Sequence, residues 1–205
     1  LAPNQDGVSA ETGLTDKVAL YGDDTNLLWS YDIQGRGSPT IVGDRVYSWG
    51  YSGEGPDLQE QLTCLNAETG EVIWKLRFND FLSDIIYDRY SIGSPTVDPE
   101  TGHIYLMTTP GQLMSITPDG KINWQVSMME DFGRLTFPNG RTGAVSIEGD
   151  LAIVNVISTN WGAQGPPRNR FYAFDKTTGQ SVWASTPGVG PPFLKDSSFS
   201  SPVFD

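Results

Sequence analysis

An all-β fold assembled from repeats is what this 205-residue sequence predicts, and three observations predict it. The first is the stretch Leu62 to Leu76, LTCLNAETGEVIWKL, which reads as a strand, a tight turn at Glu68-Thr69-Gly70 and a second strand carrying Trp74. It returns at 171–185 as FYAFDKTTGQSVWAS, an alignment that sets Ala173 against Leu65, Asp175 against Ala67, and Gly179 and Trp183 against Gly70 and Trp74. A worn copy at 113–127, LMSITPDGKINWQVS, keeps Gly120 and Trp124, and NLLWSYD at 26–32 keeps only Trp29. The four tryptophans are thus spaced by 45, 50 and 59 residues. The second observation runs in step: Ser38-Pro39, Ser94-Pro95, Gly143-Ala144 and Ser201-Pro202 each open an apolar run, at spacings of 56, 49 and 58 residues. The third is composition, with 23 glycines and 14 prolines and no sustained helical periodicity. A unit of about 40–50 residues with four short strands cannot bury both its faces alone, so such units stack radially. Each repeat is read as one blade of a β-propeller.

Taken in order, residues 1–25 lack alternation and are rich in Gly, Asp, Asn and Thr, which predicts an extended N-terminal arm ahead of a partial propeller at 26–205. A lone outer strand follows at Leu27 to Tyr31. The first unit is expected to place strands at 39–42, 45–49, 62–66 and 71–77; the second at 95–98, 103–108, 112–117 and 121–127; the third at 143–147, 150–157, 170–175 and 180–185. Proline is tolerated at the first residue of an inner strand, where no N–H is needed. The chain ends in Ser201-Pro202-Val203-Phe204-Asp205, the start of a further inner strand.

The connections between strands are unequal. Those joining the first strand of a unit to its second, and its third to its fourth, are minimal hairpins such as Gly43-Asp44 and Glu68-Thr69-Gly70. Those joining second to third are long in two units (50–61 and 158–169), and those between units are long throughout (78–93, 128–142 and 186–200). Because neighbouring strands alternate direction, all long loops share one rim and all short turns the other. Binding residues concentrate on loops held by a rigid scaffold, so the long-loop rim is the expected binding face. Its aromatic and basic side chains, Arg89, Tyr90, Arg134, Arg141, Trp161, Arg168 and Lys195, are the types enriched at protein–protein interfaces and form the expected partner-binding set.

Charge and chemistry exclude several classes. With 25 acidic against 13 basic residues the net charge is −12, which repels a phosphate backbone, so no nucleic-acid partner is expected. No apolar stretch reaches the ~18 residues of a membrane span. The single cysteine, Cys64, has no partner for an internal disulfide and reads as a buried small hydrophobe. The single histidine, His103, follows the hairpin Asp98-Pro99-Glu100-Thr101-Gly102, and no second histidine exists to complete a zinc site or a nucleophile–base pair. No phosphate-cradling glycine motif is present. No catalytic, cofactor-binding or metal-binding residue is assigned.

The Thr-Gly-x-x-x-Trp pattern at Thr69-Gly70 with Trp74 and at Thr178-Gly179 with Trp183, together with the Ser-Pro openings, resembles the PQQ-type β-propeller repeat. That family includes the quinoprotein alcohol dehydrogenases and the non-enzymatic propeller of the outer-membrane protein assembly machinery. The opening run from Asn4 to Leu14, then Leu28-Trp29 and Gly35-Arg36-Gly37-Ser38-Pro39, is similar to the start of secreted bacterial proteins of this type. The resemblance implies that Trp29, Trp74, Trp124 and Trp183, with Gly70, Gly120 and Gly179, are structural repeat positions, the tryptophans packing between blades. It implies a periplasmic or cell-surface location. Two functions follow. One is a non-enzymatic binding or assembly scaffold, with no cofactor, acting through the long-loop rim on a protein or envelope assembly. The alternative is a PQQ- and calcium-dependent dehydrogenase whose ligands lie largely outside these residues, to which Trp161 would offer a stacking ring and Asn160 an oxygen. The dehydrogenases' vicinal cysteine pair is missing, since there is one Cys.

Three full units do not close a ring, which takes about four to eight blades. The chain is therefore expected to be part of a larger propeller, of about eight blades by resemblance, with the Trp29 strand completing a blade contributed by the rest of the same chain or by a partner chain.

Overall fold

The middle strands of the second repeat are apolar on both sides because its blade is sandwiched between the other two, and their alternation sends successive side chains to opposite neighbours. In the computed structural model, residues 12–13, 16–23, 25–80, 90–132, 134–135, 144–159 and 168–185 are described, with the backbone alone at 134–135, 157–159 and 168–169. Blade 1 comprises β1 (Thr40–Val42), β2 (Arg45–Ser52), β3 (Gln59–Asn66) and β4 (Val72–Asn79). Blade 2 comprises β5 (Thr96–Val97), β6 (Ile104–Met107), β7 (Gln112–Ile116) and β8 (Ile122–Ser127). A helical turn, α1 (Met128–Phe132), and the short β9 (Arg134–Leu135) lead to blade 3: β10 (Ser146–Glu148), β11 (Leu151–Thr159), β12 (Arg168–Asp175) and β13 (Ser181–Ser185). Each blade is an antiparallel sheet with its strands in chain order, and β9 pairs with the far end of β11. Three propeller blades are therefore present among the described residues, as the repeats predict.

Two apolar seams fill the junctions. Between blades 1 and 2, Tyr47, Trp49, Leu62 and Cys64 meet Val97, Ile104, Leu106, Met114 and Ile116. Between blades 2 and 3, Tyr105, Leu113 and Trp124 meet Val145, Ala152, Val154, Val156, Tyr172 and Phe174. Along β6, Ile104 and Leu106 thus face one neighbour and Tyr105 the other. Cys64 is fully buried with a free thiol, in its expected place as a core residue.

Each junction is bolted by the repeat tryptophans. Trp29 Nε1 donates to the Ala67 carbonyl at 2.9 Å, Trp74 Nε1 to Pro118 O at 3.0 Å and Trp124 Nε1 to Lys176 O at 2.9 Å. The ring lies directly on the turn glycine of the receiving blade: a Cβ built on Gly70 would stand 2.6 Å from Trp29, one on Gly120 2.8 Å from Trp74, and one on Gly179 2.6 Å from Trp124. What aims the Trp74 and Trp124 rings is a β-bulge, which recurs beside Trp183. The pairing between third and fourth strand slips between Cys64 and Leu65, between Ser115 and Ile116, and between Ala173 and Phe174, each time skipping the residue before the tryptophan, namely Ile73, Asn123 and Val182. An extra residue inserted there sharpens the twist and swings the next side chain out of the sheet toward the neighbour.

A second fastening runs along the inner strands. The Thr40 hydroxyl donates to Pro95 O at 2.5 Å and the Thr96 hydroxyl to Val145 O at 2.6 Å, joining β1 to the start of blade 2 and β5 to the start of blade 3. Both threonines are buried. Replacing either with Val keeps the shape but orphans a carbonyl acceptor, and each replacement is expected to lower unfolding free energy by about 1–3 kcal/mol in urea titrations.

Several expectations are corrected. The strands flanking the first long loop are longer than the alternation implied: β2 runs to Ser52 and β3 starts at Gln59, which leaves a loop of 53–58 closed by a 3-10 turn at Gly55–Asp57. Residues 27–31, expected as a strand, join no sheet, and the only pairing near them among the described residues is a single bridge from Gln34 to Tyr51. Trp29 docks on blade 1 nonetheless. The absence of helix does not hold at Met128–Phe132, where a single turn buries Met128 and sets Phe132 4.7 Å from Tyr172 and 5.7 Å from Phe174, ring to ring. Lastly, the position equivalent to Ala67 is Lys176, not Asp175. Lys176 supplies the carbonyl to the tryptophan, while Asp175 matches Asn66, since both side chains accept the N–H groups of the two turn residues that follow them at positions two and three.

Candidate functional site: the long-loop rim

The two rims differ as the loop lengths require. On the short-turn rim, Asp98 Oδ1 accepts the Glu100 N–H and Oδ2 accepts the Thr101 hydroxyl, and the hairpin ends at His103, whose Nδ1 lies 3.4 Å from Ser115 Oγ. His103 therefore sits in a structural turn. On the opposite rim β2 and β3 of blade 1, and β11 and β12 of blade 3, project beyond blade 2, whose β6 and β7 stop at Met107 and Gln112 and are joined by the tight turn 108–111. The strands of blade 2 are thus shorter at this rim than those of its two neighbours, and α1 packs on its turn, the Met128 N–H donating to Gly111 O.

In blade 1 the organising group is Glu60, fully buried. It shares the inward face of β3 with Leu62 and Cys64, by the two-residue alternation of a strand. Its Oε1 accepts the Ser91 N–H at 2.8 Å and the Thr109 hydroxyl at 2.6 Å, and its Oε2 accepts the Thr109 N–H at 2.8 Å. Burial pushes the Glu60 carboxyl up; the Thr109 hydrogen bonds oppose this, the charge of Asp80 adds to it, and the outcome is a pKa above the usual glutamate value. Ser91 is itself a hub, held at a φ of 51°, with its carbonyl accepting the Arg36 and Gly37 N–H groups. One carboxylate therefore gathers β3, the crossing into blade 2, the turn 108–111 and the segment before blade 1.

The expected binding residues divide among these features. Tyr90 is 1% exposed and stacks edge-on against Tyr51 at 5.4 Å, so its ring is packed inward and not displayed. Arg134 and Arg168, expected on loops, lie on β9 and β12, paired to Thr159 and Ser158 at the same end of β11. That places both arginines at the rim end of blade 3, on either side of one strand. Arg89, Arg141, Trp161 and Lys195, with Asn160, lie outside the described residues. Sequence reasoning missed Glu60, Ser91 and Thr109. The signal available for Glu60 was its register with Leu62 and Cys64, hidden by reading 50–61 as a loop.

Both oxygens of Glu60 are already engaged in hydrogen bonds, and no three His, Cys, Asp or Glu side chains come together among the described residues. Nor is any helix among them long and apolar enough to cross a membrane.

Solved structures share the fold. The chain aligns with a europium-containing methanol dehydrogenase at a TM-score of 0.56 and 19% identity, over 78% of this chain and 27% of that one. With BamB from Moraxella catarrhalis the TM-score is 0.53 and the identity 21%, over 77% of this chain and 42% of the other. The chain therefore spans less than half the length of either. No curated protein matches it. The model of a PQQ-like repeat family, described as outer membrane protein assembly factor BamB, matches residues 15–155, more than half of the chain. With tryptophan-bolted blades and in-phase bulges beside that match, the chain belongs to the PQQ-like β-propeller family typified by BamB.

Proposed function

We propose that the chain is part of a non-enzymatic, extracytoplasmic propeller that binds a protein or envelope assembly through its long-loop rim. The observation that carries this reading is the unequal rim: the strands of blade 2 end short of those of its two neighbours, with Arg134 and Arg168 flanking one strand end of blade 3. Arginine on a rigid scaffold is suited to a protein partner, because its planar fork makes oriented hydrogen bonds at small entropic cost. The family match to an assembly factor points the same way, and a periplasmic or cell-surface location accompanies this role.

Two measurements test it. The purified full-length protein is expected to show no quinone absorbance and no stoichiometric calcium; bound quinone with one calcium per chain overturns the scaffold reading in favour of a dehydrogenase. Replacing Arg89, Arg141 and Trp161 together with Ala is expected to weaken partner capture at least tenfold, about 1.4 kcal/mol, with the melting temperature held within a few degrees. A parallel loss of melting temperature would assign those residues to structure.

A further inference from the structure

We propose that residues 28–33 are the outer strand of a further blade, and that the groove beside them receives the other three strands of that blade from the same polypeptide.

The segment has the anatomy of a fourth strand without a third. Its side chains alternate, with Trp29, Tyr31 and Ile33 half-buried and Leu28, Ser30 and Asp32 exposed. The inward three dock on blade 1. Trp29 sits on Ala67 O and Gly70, the Tyr31 hydroxyl lies 3.5 Å from Thr63 Oγ1, and a Cβ added to Gly50 would stand 2.3 Å from the Ile33 side chain. Counted from the tryptophan, they match Trp74, Leu76 and Phe78 of β4. Yet β4, β8 and β13 each pair with a third strand, whereas among the described residues no main-chain N–H or C=O from Leu28 to Ile33 has a hydrogen-bond partner. An extended segment held by its side chains, with its backbone unpaired, is a template for strand addition.

The next junction shows what belongs beside it. By register, Ile41, Val46, Ser48 and Leu65 stand in blade 1 where Val97, Ile104, Leu106 and Ile116 stand in blade 2. Those residues of blade 2 pack against Tyr47, Trp49, Leu62 and Cys64, from the second and third strands of blade 1. In blade 1 the same surface borders an open groove of about 370 Å³, lined by Trp29, Tyr31 and Ile33 as well as Val46, Ser48 and Leu65. Ile41 is accordingly 58% exposed, against 8% for Val97. The occupant is thereby defined in its chemistry: strands with large apolar side chains at alternate positions, the third of them antiparallel to 28–33.

Its source follows from two facts. Every described blade has its own fourth strand, so no described blade of a second copy has an edge free for 28–33. A ring of this fold closes at about four to eight blades, at least one more than the three described. This assignment is independent of the role given to the long-loop rim.

The test is hydrogen exchange of the native full-length protein, read residue by residue. Alternate amides between Leu28 and Ile33 are expected to be protected about a hundredfold or more, those between them exchanging freely, with the same pattern at every protein concentration. Alternation is the mark of pairing along one edge, which side-chain docking alone does not produce. Ile41→Arg gives a second reading. Arginine is harmless at a solvated position and disruptive against an apolar blade, so the variant is expected to reduce that protection about tenfold or more. Free exchange throughout 28–33, protection without alternation, protection that rises with protein concentration, or unaltered protection in Ile41→Arg would each overturn the assignment. The wild-type pattern decides the matter even if Ile41→Arg does not fold.

Discussion

Lys176→Ala is expected to cost about 3–5 kcal/mol of unfolding free energy, because it strips the cation from a buried pair. The Lys176 ammonium lies 3.2 Å from Asp98 Oδ2 and 2.7 Å from Glu100 Oε2, with the side chains of Lys176 and Asp98 only 6% and 1% exposed. It joins the first hairpin of blade 2 to the last hairpin of blade 3. Burial works to raise the Asp98 carboxyl, but the Glu100 N–H, the Thr101 hydroxyl and Lys176 together outweigh it and hold the group below its usual value. The hydrogen bond to Glu100 likewise holds the Lys176 ammonium above its ordinary range. For Asp98 the sign follows directly: a carboxyl depressed in the folded state contributes stability above its unfolded pKa of about 3.9 and loses it as pH falls through the folded value. Wild type should therefore lose stability in that acid window. Asp98→Asn should lose less there, and equal acid slopes for the two in urea titrations would remove this pair from the account. Exposed Glu100 adds little, since a partner in water is screened.

Gly179→Ala is expected to cost about 2–4 kcal/mol, from two separable sources. Gly179 has a φ of +74°, and its added Cβ would meet the Trp124 ring at 2.6 Å, where the ring is pinned by its bond to Lys176 O. Gly149 is the control: φ is +53°, with nothing within 4 Å of its Cβ. Gly149→Ala should therefore cost only the backbone term, about 1–2 kcal/mol. The difference between the two variants, read by urea unfolding of the full chain, measures the ring contact. Equal costs would mean that Trp124 gives way freely and that the bolt contributes little.

The bolts were legible in the sequence because they combine two uncommon residue types at fixed separation. A tryptophan four residues after a turn glycine stands out at any spacing, and the structure sets the Trp74 and Trp124 rings on the glycine of the following blade. Strand order and blade count followed from the same period. What stayed hidden depended on partners distant in sequence. Glu60 looks like any exposed acid until β3 is known to begin at Gln59, and its donors lie 31 and 49 residues away. The one-residue misalignment at Lys176 has a similar origin, since Asp175 and Asn66 differ in type while performing one capping role. Tyr90 was placed on the binding face because aromatic residues in loops are interface-like, yet the same large ring gains as much by filling the space beside Tyr51. The helical turn after β8 escaped notice because five residues are too few to show a period.

The receiving end of each tryptophan bolt is a backbone carbonyl, and it is carried by an alanine, a proline and a lysine in the three described cases. A joint that reads only the main chain exerts no selection on the side chain standing there. That position is free to drift without loosening the ring, which makes it a place where a family can acquire novelty at low risk. At Lys176 the freedom has been put to use, the main-chain oxygen still serving Trp124 while the ammonium ties blade 3 to Asp98 and Glu100. Substitutions at Ala67 to larger polar residues should accordingly be tolerated, and libraries varied at this one position in each blade offer a route to new inter-blade contacts on an unaltered frame.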